Sequence, residues 1–531
     1  MTLSALHNKN LSGIVLGDQR QIVLPVLSAV FLIGSFPKFG IGLTAWVAFI
    51  PLLFALRATD KPSKAFLSGF ITGMIFHVGL LYWVAQVIVT YGYLPLYIGI
   101  SAMLLLAMYL SLYFSLFAAM VVFLRNRGFS EVVTAPLLWS CLEFLKSHLF
   151  TGFPWENLAY SQYKYLHLVQ FSDVTGIYGL SFVIVFVNVV LFDLIVYREN
   201  IKKVFPELAT GCIILALLFG YGQFSLNRIR HELNRSEAME VSLVQGNIDQ
   251  NIKWNPDYQR ESIELYQNMS LKKAPLGLGL IVWPETATPF FFQDPSHLSA
   301  VVRNIPKLTS DWLLFGSPSY LDEGSGTEYM NSAFLLSPDG NVAGRYDKTH
   351  LVPYGEYVPL RRFFPFINKL VAGIGDFKRG DGVKALRIGR HDLGVLICYE
   401  GIFPEISRKY KENGAGLLVN ITNDAWFGRT SAPYQHLSMT VFRAVENRTF
   451  LLRAANTGIS AIIDPSGKII KQTRLFERSA IRGSVKFLDR RTIYALYGDI
   501  FVYICLILLG VILFNSIKGD LTSCLKNLPT K

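Results

Sequence analysis

Eight apolar segments constrain this chain more than anything else in it. Seven precede residue 225, near 21–36, 41–56, 65–90, 94–124, 132–149, 169–197 and 206–224. The eighth runs from about 495 to 515. A membrane-spanning helix needs about 20 mostly apolar residues, and the first two segments are short for that. Several are interrupted by Gly or Pro, which membrane helices tolerate. Hydrophobic residues make up 51% of the chain and charged residues only 17%, with the apolar ones crowded into these segments. The pattern predicts a multi-pass α-helical membrane domain of about eight transmembrane helices with one inserted soluble domain. The expected divisions are 1–225, 226–494 and 495–531.

Orientation follows from the basic residues. Segments 1–20, 57–64, 125–131, 198–205 and 516–531 hold thirteen Lys and Arg, whereas the opposite short loops hold only Lys38, Lys146 and Lys164. That asymmetry predicts cytoplasmic termini and an exported soluble domain, periplasmic in a bacterial inner membrane. It also accounts for much of the net charge of +12, so the basic balance reads as topology and not as nucleic-acid binding. No cleavable leader is evident, since the N-terminus is polar and the first apolar run leads into a second.

In the soluble part, strands and helices alternate, which predicts a mixed α/β domain. Strands are expected at 241–244, 278–283, 312–316, 333–337, 342–346, 392–397, 417–421, 451–455, 461–464 and 468–472. Helices are expected at 257–272, 404–413 and 433–448. Pro338-Asp-Gly-Asn341 and Pro465-Ser-Gly467 are hairpin signals. Cys398 ends a strand, where a nucleophile is held rigidly and open to a pocket. The competing reading is a buried structural cysteine. Of five cysteines, only Cys398 lies in the exported domain, and a lone thiol in an oxidising compartment favours reactivity. Glu285 and Lys348 also follow strand-like runs. A carboxylate, an amine and a thiol at strand ends make a coherent acyl-transfer set: base, oxyanion stabiliser and nucleophile. No metal or cofactor motif is present.

The motifs around these residues are more specific. They are Val244-Gln-Gly-Asn-Ile248 with Trp254, Trp283-Pro-Glu-Thr286, Tyr346-Asp-Lys-Thr-His350 running on to Pro359, Cys398-Tyr-Glu400 and Asn423-Asp-Ala-Trp-Phe-Gly428, with Gly152-Phe-Pro-Trp155 and Gly176-Ile-Tyr-Gly-Leu-Ser181 in the membrane part. Together they resemble the bacterial apolipoprotein N-acyltransferase family, membrane-integrated members of the nitrilase superfamily. The resemblance implies an α-β-β-α nitrilase-like sandwich and a Glu285–Lys348–Cys398 triad. It implies transfer of an acyl chain from a phospholipid, through a thioester on Cys398, to the α-amino group of a diacylglyceryl-cysteine at an apolipoprotein N-terminus. It further implies supporting roles for Glu356, Tyr399 and Glu400 and a substrate-side contact at Trp254, with Glu356 and Glu400 orienting Lys348. No cofactor is expected, and the chain is expected to act as a monomer in the bilayer. Two alternatives are a membrane-anchored nitrilase-like amidase and a non-catalytic lipid-binding scaffold.

Other features carry further expectations. Phe290, Phe291 and Phe292 read either as a membrane-touching arm or as core. The basic, apolar run 361–373 reads as a membrane arm. His77, an ionisable residue inside a membrane segment, reads either as a functional-site candidate or, the favoured reading, as a histidine hydrogen-bonded between helices, and Glu143 and Lys146 are expected to form a local ion pair. Trp155, Tyr160, Tyr163 and Tyr165 suit the lipid–water interface.

Overall fold

A computed structural model describes residues 20–250, 252–322, 326–357 and 376–526, with side chains to Lys518. The expected arm at 361–373, and Lys9 and Lys531 near the chain ends, lie outside the described residues. The helical part comprises α1 (Arg20–Ser35), α2 (Ile50–Arg57), α3 (Pro62–Leu81), α4 (Trp83–Gly92), α5 (Leu96–Arg125), α6 (Glu131–His148), α7 (Ser172–Val196) and α8 (Phe205–Arg235). Among the described residues, α3, α5, α7, α8 and Ile500–Lys518 are long and apolar enough to cross a membrane. The segment expected at 65–90 is two helices, broken at Tyr82. Helix α8 does not stop at residue 224 but runs on through its charged end to Arg235, three residues before the first strand.

Twelve strands form two six-stranded sheets. They are β1 (Ala238–Gln245), β2 (Leu280–Val282), β3 (Trp312–Asp322), β4 (Thr327–Leu336), β5 (Val342–Asp347), β6 (Leu386–Ile388), β7 (His391–Ile397), β8 (Ala415–Thr422), β9 (Phe450–Ala455), β10 (Ala461–Ile463), β11 (Ile469–Gln472) and β12 (Ser479–Lys486). The sheet orders are β12-β1-β2-β3-β4-β5 and β11-β10-β9-β8-β7-β6. Each has a parallel centre, β1-β2-β3 or β7-β8-β9, flanked by antiparallel pairs. Strand alternation divides the apolar residues between two layers. Leu280, Val282, Leu314 and Leu335 join the cluster that contains the second sheet. Ile281, Leu313, Phe315 and Phe334 face α9 (Pro256–Lys273) and α10 (His297–Thr309) through Ile263, Tyr266, Val302 and Ile305. With α11 (Pro404–Glu412) and α12 (Ala432–Asn447) on the other sheet, the result is the α-β-β-α sandwich. Both expected hairpins form. Strands β6 and β12 and helix α10 were not expected; β12 is an edge strand with mostly half-exposed residues, so it lacks the apolar alternation that marks a strand.

The two parts of the chain are not separately packed. One continuous apolar cluster includes Ala29 of α1, Leu418 of β8, Val441 of α12 and Leu509 of the last helix, α14 (Ile500–Lys526), which follows the short α13 (Ile493–Tyr497). Trp155 and Tyr160 are buried in this seam and not at a lipid interface. The Trp155 indole donates to Gln435 Oε1 at 2.9 Å, and Arg443 donates to the Tyr160 hydroxyl at 3.0 Å. Glu143 and Lys146 likewise serve the 150–162 loop: Glu143 Oε1 accepts from the Leu158 amide at 2.6 Å and Lys146 donates to the Trp155 carbonyl at 3.2 Å. His77 packs against the rings of Phe76 and Phe114, and its Nδ1 makes none of the interhelical hydrogen bonds expected of it. The Phe290–Phe292 alternatives resolve toward core. Phe292 is fully buried against Phe315 and Phe334, and Phe291 packs on Tyr320 and Tyr329.

Candidate active site

Glu285, Lys348 and Cys398 follow the C-terminal ends of β2, β5 and β7, and the sandwich brings these ends together. Glu285 is buried, with its backbone against Gly316 of β3, where a Cβ would lie 2.7 Å from the Glu285 Cα. Its two oxygens have separate donors. Asn331 Nδ2 reaches Oε1 at 2.8 Å, and the Asn423 amide reaches Oε2 at 2.9 Å. Lys348 Nζ lies 3.9 Å from Glu285 Oε1 and 2.9 Å from Glu356 Oε2. Burial opposes charge on Lys348, yet Glu356, Glu285 and Cys398 together hold its pKa well above the usual lysine range. The charged form of this buried amine is therefore favoured.

Cys398 is half-buried and sits where β7 turns into a short 3-10 helix, Cys398–Ile402. Its φ is +53°, in the left-handed region that non-glycine residues rarely occupy. Burial, with Glu285 beside it, pushes the thiol's pKa well up, against the pull of Lys348. The strained backbone is held by its carbonyl, which accepts from Asn420 Nδ2 and from His436 Nε2, both at 3.2 Å. A carbonyl can only accept, so Nε2 of His436 carries a ring proton, while Nδ1 lies 3.0 Å from the Arg453 guanidinium and 3.1 Å from Asp424 Oδ1. Burial together with Arg453 lowers the imidazole's pKa. Arg453 also donates to Asn420 Oδ1 and, at 2.8 Å, to Asp424 Oδ2. Burial works against charge on Asp424, but Arg453 and His436 hold it well below the usual carboxylate range.

The expected supporting residues take different places. Glu356 is buried, and accepts from Lys348, from Asn331 at 2.9 Å and from the Val352 amide at 2.8 Å. Glu400 does not hydrogen-bond the Lys348 amine. Its Oε1 accepts from the Thr349 and His350 amides at 2.7 and 3.0 Å, and its Oε2 from the Ile397 amide at 2.8 Å. It thus ties the segment after Lys348 to the strand before Cys398. Tyr399 packs edge-on to Phe403, whose ring stacks on His350 at 3.8 Å. Trp254 is 38% exposed and follows Lys253, a buried lysine that donates to the Glu285 carbonyl at 3.2 Å. Burial pulls the pKa of Lys253 down to about 8, against Glu285. Asn331, Lys253, Asn420, His436 and Arg453 carried no signal in the sequence, because nothing in their local runs distinguishes them from ordinary polar residues. Asn423 and Asp424 lie in a motif that did stand out. Among the described residues, no group of His, Cys, Asp and Glu could hold a metal ion.

Residues 28–190 match the apolipoprotein N-acyltransferase N-terminal domain family, and residues 240–492 match the carbon-nitrogen hydrolase family. A Geobacter metallireducens apolipoprotein N-acyltransferase is 47% identical over 92% of this chain and 93% of its own length. The chain belongs to the apolipoprotein N-acyltransferase family. A Nitrosomonas europaea member is 33% identical over 86% of this chain and 89% of that one. Among solved structures, a Saccharomyces cerevisiae member of branch 10 of the nitrilase superfamily is 18% identical with a TM-score of 0.38, covering 47% of this chain and 90% of that one. Apolipoprotein N-acyltransferases are membrane proteins with lipid and lipoprotein substrates, and the long apolar helices fit this.

Proposed function

We propose that Cys398 is the nucleophile of the family's acyl transfer, with Glu285 as general base and Lys348 as oxyanion stabiliser. One observation carries this assignment: Glu285 is held at both oxygens by fixed donors, 3.9 Å from a buried ammonium, at the end of the same sandwich as a strained cysteine. Because burial raises the thiol's pKa, the proton leaves only as the sulfur attacks. In the first step Glu285 takes that proton and a C–S bond forms at a phospholipid acyl carbon. Lys348 offsets the charge on the carbonyl oxygen. The ester C–O bond breaks, and Glu285 returns the proton to the departing lysophospholipid. In the second step the α-amino group of a diacylglyceryl-cysteine attacks the thioester, Glu285 takes a proton from nitrogen, and the C–S bond breaks to restore the thiol. The product is a triacylated lipoprotein.

Glu356 and Asn331 hold Lys348 and Glu285 in register, Glu400 and Tyr399 shape the turn around Cys398, and Trp254 meets substrate. The distribution of Lys and Arg supports an inner-membrane protein with cytoplasmic termini and a periplasmic catalytic domain; the monomeric state is part of the proposal.

An intact-mass spectrum after incubation with phospholipid alone tests the reading. Wild type should gain one acyl chain, labile to hydroxylamine and discharged by a diacylated lipopeptide, and Cys398→Ala should gain none. An unmodified wild type that releases free fatty acid would instead indicate hydrolysis. A labile adduct on Cys398→Ala would remove Cys398 as nucleophile.

A further inference from the structure

A second cleft is lined by residues of both parts of the chain and by none of the triad. The cleft, of about 450 Å³, is lined by Lys38, Arg429, Tyr434, Ile459, Gln472 and Arg474 among others. Its three cations come from three separate segments: the turn after α1, the loop before α12, and the loop after β11. No carboxylate lines it. No carboxylate among the described residues pairs with any of the three cations. Arg429 stands over the Phe476 ring at 4.7 Å, which leaves its N–H edge open. A fourth cation is near, since a Cβ on Gly40 would lie 3.0 Å from Lys164 Nζ.

Two features point to the ligand. Lys38 and Lys164 are two of the three lysines in the short loops that the positive-inside bias otherwise empties; the third, Lys146, is buried and spent on the Trp155 carbonyl. And Lys38 adjoins Phe39, Ile41 and Leu43, which are 70%, 56% and 62% exposed. Cations above a strip of unpartnered apolar side chains match a headgroup above its acyl chains. We propose that this cleft binds the phosphate of an anionic phospholipid, with the guanidinium groups of Arg429 and Arg474 and the Lys38 ammonium as its donors and the chains along Phe39, Ile41 and Leu43. The lipid assignment rests on the proposed topology, which puts these residues at the outer leaflet.

The test uses full-length protein in the Cys398→Ala background, so that no acyl chain is consumed. Retention of phosphatidylglycerol through detergent exchange is read by native mass spectrometry, with diacylglycerol of the same chains as control. Phosphatidylglycerol should stay and diacylglycerol should not. The Lys38→Gln/Arg429→Gln/Arg474→Gln variant should lose one retained phosphatidylglycerol per protein, held roughly 100-fold more weakly, the factor for removing three surface cations, while any phospholipid at the Cys398 site stays. Equal retention by the variant, or equal retention of diacylglycerol, would overturn the site. Displacement by soluble glycerol phosphate at matched concentration would make free phosphate the ligand and overturn the lipid assignment. The same triple variant with Cys398 intact should still form the thioester, which shows it is folded. If it does not, Lys38→Gln and Arg474→Gln singly should each give a partial loss of retention, and no loss in either would overturn the proposal. Failure of the thioester in wild type would count against Cys398 alone, because retention is read without it.

Discussion

Asn331 holds two carboxylates apart with one amide group. Its Nδ2 donates to Glu285 Oε1 and to Glu356 Oε1, while its backbone carbonyl accepts from the Lys348 amide at 2.9 Å. Without those N–H groups, Glu285 loses one of its two donors and the two anions repel across the gap. Asn331→Ala should therefore slow thioester formation by roughly 10–100-fold, the scale of one charge-assisted hydrogen bond, with little change in Tm. A Tm drop with an unchanged rate per folded molecule would show that Asn331 only packs. The Cys398 thiol has its own signature. Its pKa is raised, so the thiolate fraction near neutral pH is below that of a free cysteine. Alkylation by iodoacetamide should be slower than for a free thiol at about pH 7.5 and still climbing above about pH 9. Lys348→Met removes the cation that pulls the pKa down, so the curve should move further to alkaline pH. A plateau below about pH 8 would contradict the assignment.

Helix α12 is the element on which both parts of the molecule depend. Its residues are buried almost without exception. One face delivers His436 to the Cys398 carbonyl, and the next residue back, Gln435, meets the membrane helices. Gln435 Oε1 accepts from both Trp83 and Trp155, and Nε2 donates to the Pro37 and Leu80 carbonyls. Gln435→Leu strands two indole N–H groups and two carbonyls at about 1–3 kcal/mol each. It should lower Tm by several degrees in detergent, and more than Gln435→Glu, which keeps both indole acceptors. Equal Tm for wild type and Gln435→Leu would show that the seam is not held here. At the other end, Arg448 is fully buried. It binds Asp173 Oδ2 at 2.8 Å, Gln170 Oε1 at 2.6 Å and Ser225 Oγ at 2.9 Å. These partners lie at the start of α7, just before it, and in α8.

At the scale of the whole molecule, the catalytic sandwich is mounted rigidly on the helices. Arg448→Met removes the nearer guanidinium from buried Asp173 and leaves it Arg490, at 3.8 Å, and the Tyr221 hydroxyl, a loss below the about 3–5 kcal/mol of a fully broken buried pair. The expected result is loss of the folded-protein peak from size-exclusion chromatography in mild detergent, although no residue of the triad is touched. Retention of that peak with full acyl transfer would show that the two parts are coupled elsewhere. The continuous apolar cluster from α1 to the last helix gives the reason: removing the membrane part would expose the outer face of the second sheet's helix layer to water.

Periodicity, charge asymmetry and strand-end motifs are local properties, so the sequence by itself determined the membrane helices as a class, the inserted α/β domain, most strands beside the site, and the placement of Glu285, Lys348 and Cys398 at strand ends. Glu356 was legible only through resemblance to a family. Asn331, Asn420, His436 and Arg453 were not legible, because each matters through a partner far away in the chain, and a polar residue's partner is a fact of tertiary packing. The same holds for Trp155 and Tyr160: an aromatic run beside a membrane helix suits lipid or a protein seam equally, and only the docking of α12 against that loop decided between them. Tertiary structure also decided that the thiol stands on a left-handed backbone, since that conformation persists only where Asn420 and His436 grip its carbonyl.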